Sequence, residues 1–143
     1  MRPFFAMLWD VTDPEAVAYA SQIRSTMLAG SSKGSDLIEA DGLLVCSLSR
    51  DGDKSNALIA LRRKNGVVFG AVFGTLFEQS DSKPCRRFTK VDPETAERLY
   101  HSLGSGIVRD FWGNYVCFVS NGERRAIVVD PAASIPCFYT RKC

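Results

Sequence analysis

The run NGVVFGAVFGTLFEQ, residues 65–79, places Gly66, Gly70 and Gly74 four residues apart in an otherwise β-branched and aromatic segment. No other stretch restricts the fold as much, because glycines at this spacing suit three structures that lead to different chemistry. A phosphate-cradling loop ends in Gly-Lys followed by Ser or Thr, so that an ammonium and a hydroxyl reach the phosphates and their metal. Here Gly74 is followed by Thr75 and Leu76. Close packing of two membrane helices needs an apolar span of about 20 residues, whereas Arg62, Arg63 and Lys64 bound this run on one side and Glu78 on the other. A buried strand remains. Val67, Val68, Phe69, Val72 and Phe73 suit a pleated surface, and Asn65-Gly66 before them is a hairpin signal. A glycine inside such a strand marks a place where the backbone turns or is closely approached.

The rest of the chain has to cover that strand. Its 143 residues, 45% of them apolar, suffice for one domain with a core of its own. No internal repeat suggests a second. Lys and Arg number 18 against 16 Asp and Glu, and the balance of +2 supplies no basic field for nucleic acid or an anionic membrane. The opening MRPFFAMLWD carries one basic residue and too short an apolar run for a secretory signal, so it predicts a first strand. Cysteines 46, 85, 117, 137 and 143 are odd in number and lack a C-x-x-C pair, which argues against a disulfide framework and a zinc site and fits a reducing cytoplasm. His101 is the only histidine, so any Ser-His or Cys-His pair would run through it. Its place in an amphipathic helix predicts an exposed structural residue.

Residues 4–9 read as a strand, and Thr12-Asp13-Pro14-Glu15 then supplies a cap, a first-turn proline and an acid for a helix over 14–28. The Ser- and Gly-rich residues 29–36 predict a loop. Residues 43–48 and 57–63 read as strands joined by SRDGDKSN, and 67–73 follows through Asn65-Gly66, so three strands meander. VDPETAERLYHSLG has Asp92 as cap, Pro93 at the first helical position, Gly104 as stop, and Ala96, Leu99, Tyr100 and Leu103 at helical spacing. Beyond it, two strands flank Asn121-Gly122 and a third follows a Pro-bounded turn. This order predicts an α+β domain with two packed antiparallel sheets.

Together these pieces resemble the N-terminal glutaminase-type domain of the asparagine synthase family, over most of the chain and at four places. GSGIVRDFWGNYVCFVSNGERRAIVVDPAASIPCFY is similar to the family's short helix, strand, hairpin and Arg-Asp-x-x-Gly-x-x-Pro-Leu-Tyr; Asp130, Pro136 and Tyr139 match, while Val129 and Ser134 depart. VDPETAERLYHSLG resembles the family's Ser-Asp-x-Glu helix, and Asp92 falls on an aspartate that helps bind glutamine there, with helix capping as its other role. The opening run takes the register of Val-Asn-Gly-Glu-Ile-Tyr-Asn, whose asparagine side chain and glycine amide form the family's oxyanion hole. Gly74 keeps the amide, or serves as a turn glycine, but Phe73 has no donor. Losing one such donor removes on the order of 3 kcal/mol of transition-state stabilisation. At the start, the family's catalytic cysteine follows the initiator methionine; here Arg2 stands in its place, and a guanidinium cannot attack a carbonyl. Arg50 lies near the family's substrate-binding arginine.

The resemblance implies an Ntn-hydrolase-like four-layer αββα sandwich, two antiparallel sheets between helices. It also implies that the helices beginning near Pro14 and Pro93 pack together on one outer side, and that the first strand lies beside residues 67–73. It implies a glutaminase fold without a catalytic residue, keeping Gly74, Asp92 and Arg50 as a substrate-binding vestige. Family members bind ATP and Mg in a C-terminal synthetase domain with a Ser-Gly-Gly-x-Asp-Ser loop. No such loop occurs here, so the chain is expected to hold no cofactor and to be the N-terminal part of a longer protein. Lasso-peptide cyclases and β-lactam synthetases use an amine already on their substrate and need no ammonia; DFWGNY and DPAASIPCFY resemble the cyclase kind. The expected partners are then its own synthetase domain, a second copy, or a precursor peptide. Three other readings stay open: a stand-alone glutaminase-like binding module, an active glutamine-hydrolysing asparagine synthase, and an Ntn hydrolase self-cleaved before Thr12 or Ser35. The uncharged run Cys137-Phe138-Tyr139 predicts either an apolar patch beside Ile135, available for self-association, or an inner sheet strand.

Overall fold

In the computed structural model, residues 3–30, 36–48, 57–79 and 86–140 are described. They form a mixed α+β domain of two antiparallel sheets with few helices. The smaller sheet has the order β1-β3-β2, from β1 (Phe4–Leu8), β2 (Leu37–Ala40) and β3 (Leu43–Ser47). The larger runs β4-β5-β7-β8, from β4 (Ala57–Arg62), β5 (Val68–Glu78), β7 (Phe111–Ser120) and β8 (Arg125–Val129), with the two-residue β6 (Arg87–Phe88) also on β5. The helices are α1 (Pro14–Gly30), α2 (Pro93–His101) and the single turn α3 (Ile107–Asp110).

The opening run is β5, the central strand of the larger sheet, and at eleven residues it outruns the predicted 67–73. Both of its faces are covered. Ala71 and Phe73 join Leu43, Val45, Val116 and Phe118 in a cluster between the sheets, while Val72 and Leu76 join Ile59, Tyr115 and Cys117 on the outer face. The register against β4 passes from Leu61↔Gly70 to Arg62↔Val68, so Phe69 is the extra residue of a bulge. That bulge takes Phe69 out of the alternation and onto the outer face, where its ring meets Tyr100 of α2 edge-on at 5.2 Å. The Asn65-Gly66 turn forms as expected: Gly66 N donates to Arg63 O at 2.8 Å and Gly66 takes φ +86°.

The three-strand meander does not form. β3 is the middle strand of the smaller sheet, flanked by β1 and β2 and buried along its length, so no free edge remains for β4, which pairs in the other sheet. Strand β2, Leu37–Ala40, is not among the strands that the sequence predicts. Its signal is Asp41-Gly42, a two-residue hairpin turn between apolar runs, with Gly42 at φ +73°.

The two longer helices are not paired with one another. Thr95, Ala96 and Leu99 are the buried residues of α2, and the last two belong to the outer-face cluster of the larger sheet, in which no α1 residue takes part. Helix α1 buries only Ala20 and meets β2 through an Arg24–Glu39 ion pair. Its apolar residues fail to gather on one face, and Val17, Tyr19 and Leu28 are all exposed.

The third strand of the tail does not form among the described residues either. Asp130, itself buried, accepts from Ala132 N at 2.9 Å, Ser134 N at 3.1 Å and Ser134 Oγ at 3.3 Å, and Ala133 takes φ +48°. This wraps the chain into a turn, and Pro131 and Pro136 lack the N–H groups a ladder requires. Ile135 and Cys137 instead plug the cluster between the sheets, leaving Phe138 96% and Tyr139 83% exposed. Two aromatic side chains are thus exposed beside the buried Ile135, and among the described residues no inner strand forms there.

Candidate functional site

The first strand and the opening run do meet. Phe4 of β1 packs on Phe73 of β5 with ring centroids 4.7 Å apart, and on Phe118 of β7 at 5.7 Å. Phe73 is wholly buried, packed in a hydrophobic cluster with Leu43, Val45, Val116 and Phe118. A ring in that setting offers no hydrogen-bond donor to a developing charge. Arg2 and Arg50 lie outside the described residues.

Gly74 sits inside the strand, so it is not a turn glycine. It has φ +128°, and Gly113 on β7 has φ +139°. The two flank the Thr75↔Asn114 pair, and each lets its partner's backbone come close. A Cβ on Gly74 would stand 2.1 Å from Asn114 O, and one on Gly113 would stand 2.1 Å from Thr75 O. The close strand approach by itself requires a glycine at position 74.

Asp92 caps α2. Its Oδ1 accepts from Thr95 N at 2.9 Å and Glu94 N at 3.1 Å. Hydrogen bonding from Thr95, side chain first and backbone second, holds its carboxyl below the usual range against the opposing effect of burial. The neighbouring Val91 belongs to the outer-face cluster and Phe73 to the inner one, so the larger sheet lies between Asp92 and the Phe73 ring. Asp92→Ala is expected to cost about 1 kcal/mol near neutral pH, the usual worth of such a cap. Because the folded pKa is lowered, the stabilisation is complete above the unfolded carboxyl value and is lost as pH falls through the folded value. Denaturant titrations of wild type and variant should therefore converge in acid; a constant gap across that range would refute the capping role.

His101 is exposed, with Nε2 at 3.6 Å from Glu97 Oε1 one turn earlier on α2. Glu97 also receives Arg63 Nη2 at 2.6 Å, and the Arg63 guanidinium lies 4.1 Å from the Tyr100 ring centre. This cluster fastens the β4–β5 turn to α2 and uses His101 structurally. Burial pushes the Cys117 thiol up to about 12 and raises Cys46 and Cys137 as well, so none of these three is prepared as a thiolate nucleophile.

Two features escaped sequence reasoning. Tyr115 is fully buried with no hydrogen-bond partner for its phenol oxygen, and burial, with Cys117 and Asp130 nearby, pushes its pKa up to about 12. In the sequence it is simply one apolar position of an alternating strand. The other is a cleft of about 500 Å³ between α1, the β2–β3 hairpin and the start of β5. Trp9, Leu44 and Val67 give it apolar walls, and Arg24, Glu39 and Asp41 give it charge. Its lining comes from residues 9–24, 39–44 and 67–68, and no local motif announces it.

Among the described residues no helix is long and apolar enough to cross a membrane, and no three His, Cys, Asp or Glu side chains gather as a metal site would require. No family model, no curated protein and no solved structure matches this chain.

Proposed function

We propose that the chain is a glutaminase-type scaffold of the asparagine synthase kind, arranged as the αββα sandwich, that no longer hydrolyses glutamine. In this reading it serves an ATP-dependent, amide-forming synthetase as a non-catalytic part, of the kind that closes a lasso-peptide ring onto the peptide's own amine. One observation carries the proposal: Phe73, at the position of the oxyanion donor, is sealed under Phe4 in an apolar cluster. A tetrahedral intermediate there would set its charge against hydrocarbon, and a charge so buried is strongly disfavoured. ATP and Mg chemistry would belong to the synthetase partner.

The test is ammonia release from glutamine by the purified chain. No turnover above background is expected, and Arg2→Cys alone should not restore it, because Phe73 still fills the donor's place. Robust turnover by the unaltered chain would overturn the proposal. A reading frame continuing into Ser-Gly-Gly-x-Asp would support the synthetase partner.

The cleft beside α1 favours a second reading, a stand-alone binding module. Its volume is in the range of small-molecule sites, and its apolar walls carry a few charged groups. A ligand seated there would brace α1 against the β2–β3 hairpin and so raise the melting temperature. A thermal-shift screen with amino acids and amides in which Arg24→Ala abolishes the response would favour this reading.

A further inference from the structure

The two open edges of the sandwich differ in how they are protected. Strand β2 lies over β4 and β5, and β3 over β5 and β7, so the sheet orders bring β1 and β8 together along the opposite side. Asp10, just after β1, and Arg125, at the start of β8, confirm this with a 3.9 Å contact. On the β2/β4 side, β2 is flanked by α1 through Arg24 and Glu39, and the end of β4 carries a register shift and an exposed Arg62. Irregularity, charge and covering helices are what keep strand edges from pairing with other chains. The β1/β8 side shows no register shift, and its one charged strand residue is Arg125 at the start of β8: β1 is Phe-Phe-Ala-Met-Leu, and β8 is Arg-Ala-Ile-Val-Val with Ile127 and Val129 exposed.

The hydrogen-bond phase shows what β8 offers. Asn121 N donates to Arg124 O, and Asp130 N donates to Tyr115 O, at 3.1 Å each. Antiparallel pairs alternate, so Arg124, Ala126, Val128 and Asp130 bond to β7, while Arg125, Ile127 and Val129 turn N–H and C=O outward. The outward backbone groups thus belong to the same residues whose apolar side chains are exposed. Among the described residues nothing pairs with that edge.

We propose that β8 pairs antiparallel with β8 of a second copy of this chain, about a twofold axis at Ile127, joining the two larger sheets into one. The strand complements itself in that register. Ile127 meets Ile127, and Arg125 meets Val129 at both ends, giving about six outward hydrogen bonds by the pairing rule. The arrangement sets β-branched residues beside one another and opposes no like charges, both of which favour cross-strand pairs. A twofold also closes the assembly, so it ends at a dimer. Neither the glutaminase resemblance nor the cleft is needed for this conclusion.

Sedimentation velocity of the full chain across the micromolar range tests it. A reversible dimer is expected, with dissociation made roughly tenfold or more easier by Ile127→Lys, as charge on an edge strand does. Val67→Lys, on the exposed β4–β5 turn, should leave the dimer unchanged. Amide exchange of the wild type gives an independent reading: Arg125, Ile127 and Val129 should gain protection as concentration rises, while Ala126 and Val128 are protected throughout. A chain that stays monomeric, open-ended oligomers, or a dimer in which those three amides exchange freely or that Ile127→Lys leaves intact would each overturn the proposal.

Discussion

Replacing Phe73 by alanine is expected to lower the unfolding free energy by about 3–5 kcal/mol, the range for removing a buried aromatic side chain. For a domain of this size that is a large share of a total of roughly 5–15 kcal/mol. The ring is wholly buried, rests on Phe4 and shares its cluster with Phe118, in the middle strand of the larger sheet. Neighbours held in two hydrogen-bonded sheets cannot collapse into the space, so most of the cavity cost stays. Phe73→Asn should cost at least as much, since it sets a polar amide into a wholly buried hydrophobic cluster. This links stability to chemistry. On the proposed glutaminase-type reading, an asparagine at position 73 would destabilise the scaffold before it could act as a donor, so Arg2→Cys with Phe73→Asn is expected to give an unstable, inactive protein. Urea denaturation gives the first result and a glutaminase assay the second. A Phe73→Asn variant as stable as wild type would show that the site is polar and open, and would remove the main support for a non-catalytic scaffold.

Gly74→Ala and Gly113→Ala should each cost about 4 kcal/mol or more, or prevent folding, which places them among the exceptional single substitutions. Each added methyl would come within 2.1 Å of a carbonyl oxygen on the adjacent strand. That oxygen belongs to backbone locked in the β5–β7 ladder, which cannot move aside as a flexible side chain could. Both residues also hold positive φ angles that a side chain disfavours. Gly66→Ala separates the two causes. Gly66 has φ +86° but nothing within 4 Å of an added Cβ, so its cost should be about 1–2 kcal/mol from conformation alone. Equal stabilities for the Gly66 and Gly74 variants in a denaturant titration would show that the β5–β7 approach is looser than described.

The sequence by itself determined the elements whose cause is local. Asp92, Pro93 and Gly104 delimit α2 because a cap, a missing N–H and a left-handed stop act within a single turn. Asn65-Gly66 and Asn121-Gly122 make their hairpins for the same reason, and the β-branched and aromatic run between glycines had to be a covered strand. Phe73's lack of a donor was equally legible, since it is a property of the side chain. Tertiary structure alone decided which strand pairs with which. β3 and β4 are consecutive, yet they part into different sheets, because pairing depends on which edges are already occupied. The bulge that turns Phe69 outward follows from the register against β4, and the end of the tail strand follows from where Asp130 is buried. Gly74 shows the division within one residue. Its sequence context allowed a turn or a close approach, and only the position of β7, whose Asn114 lies 40 residues further along the chain, made it the close approach.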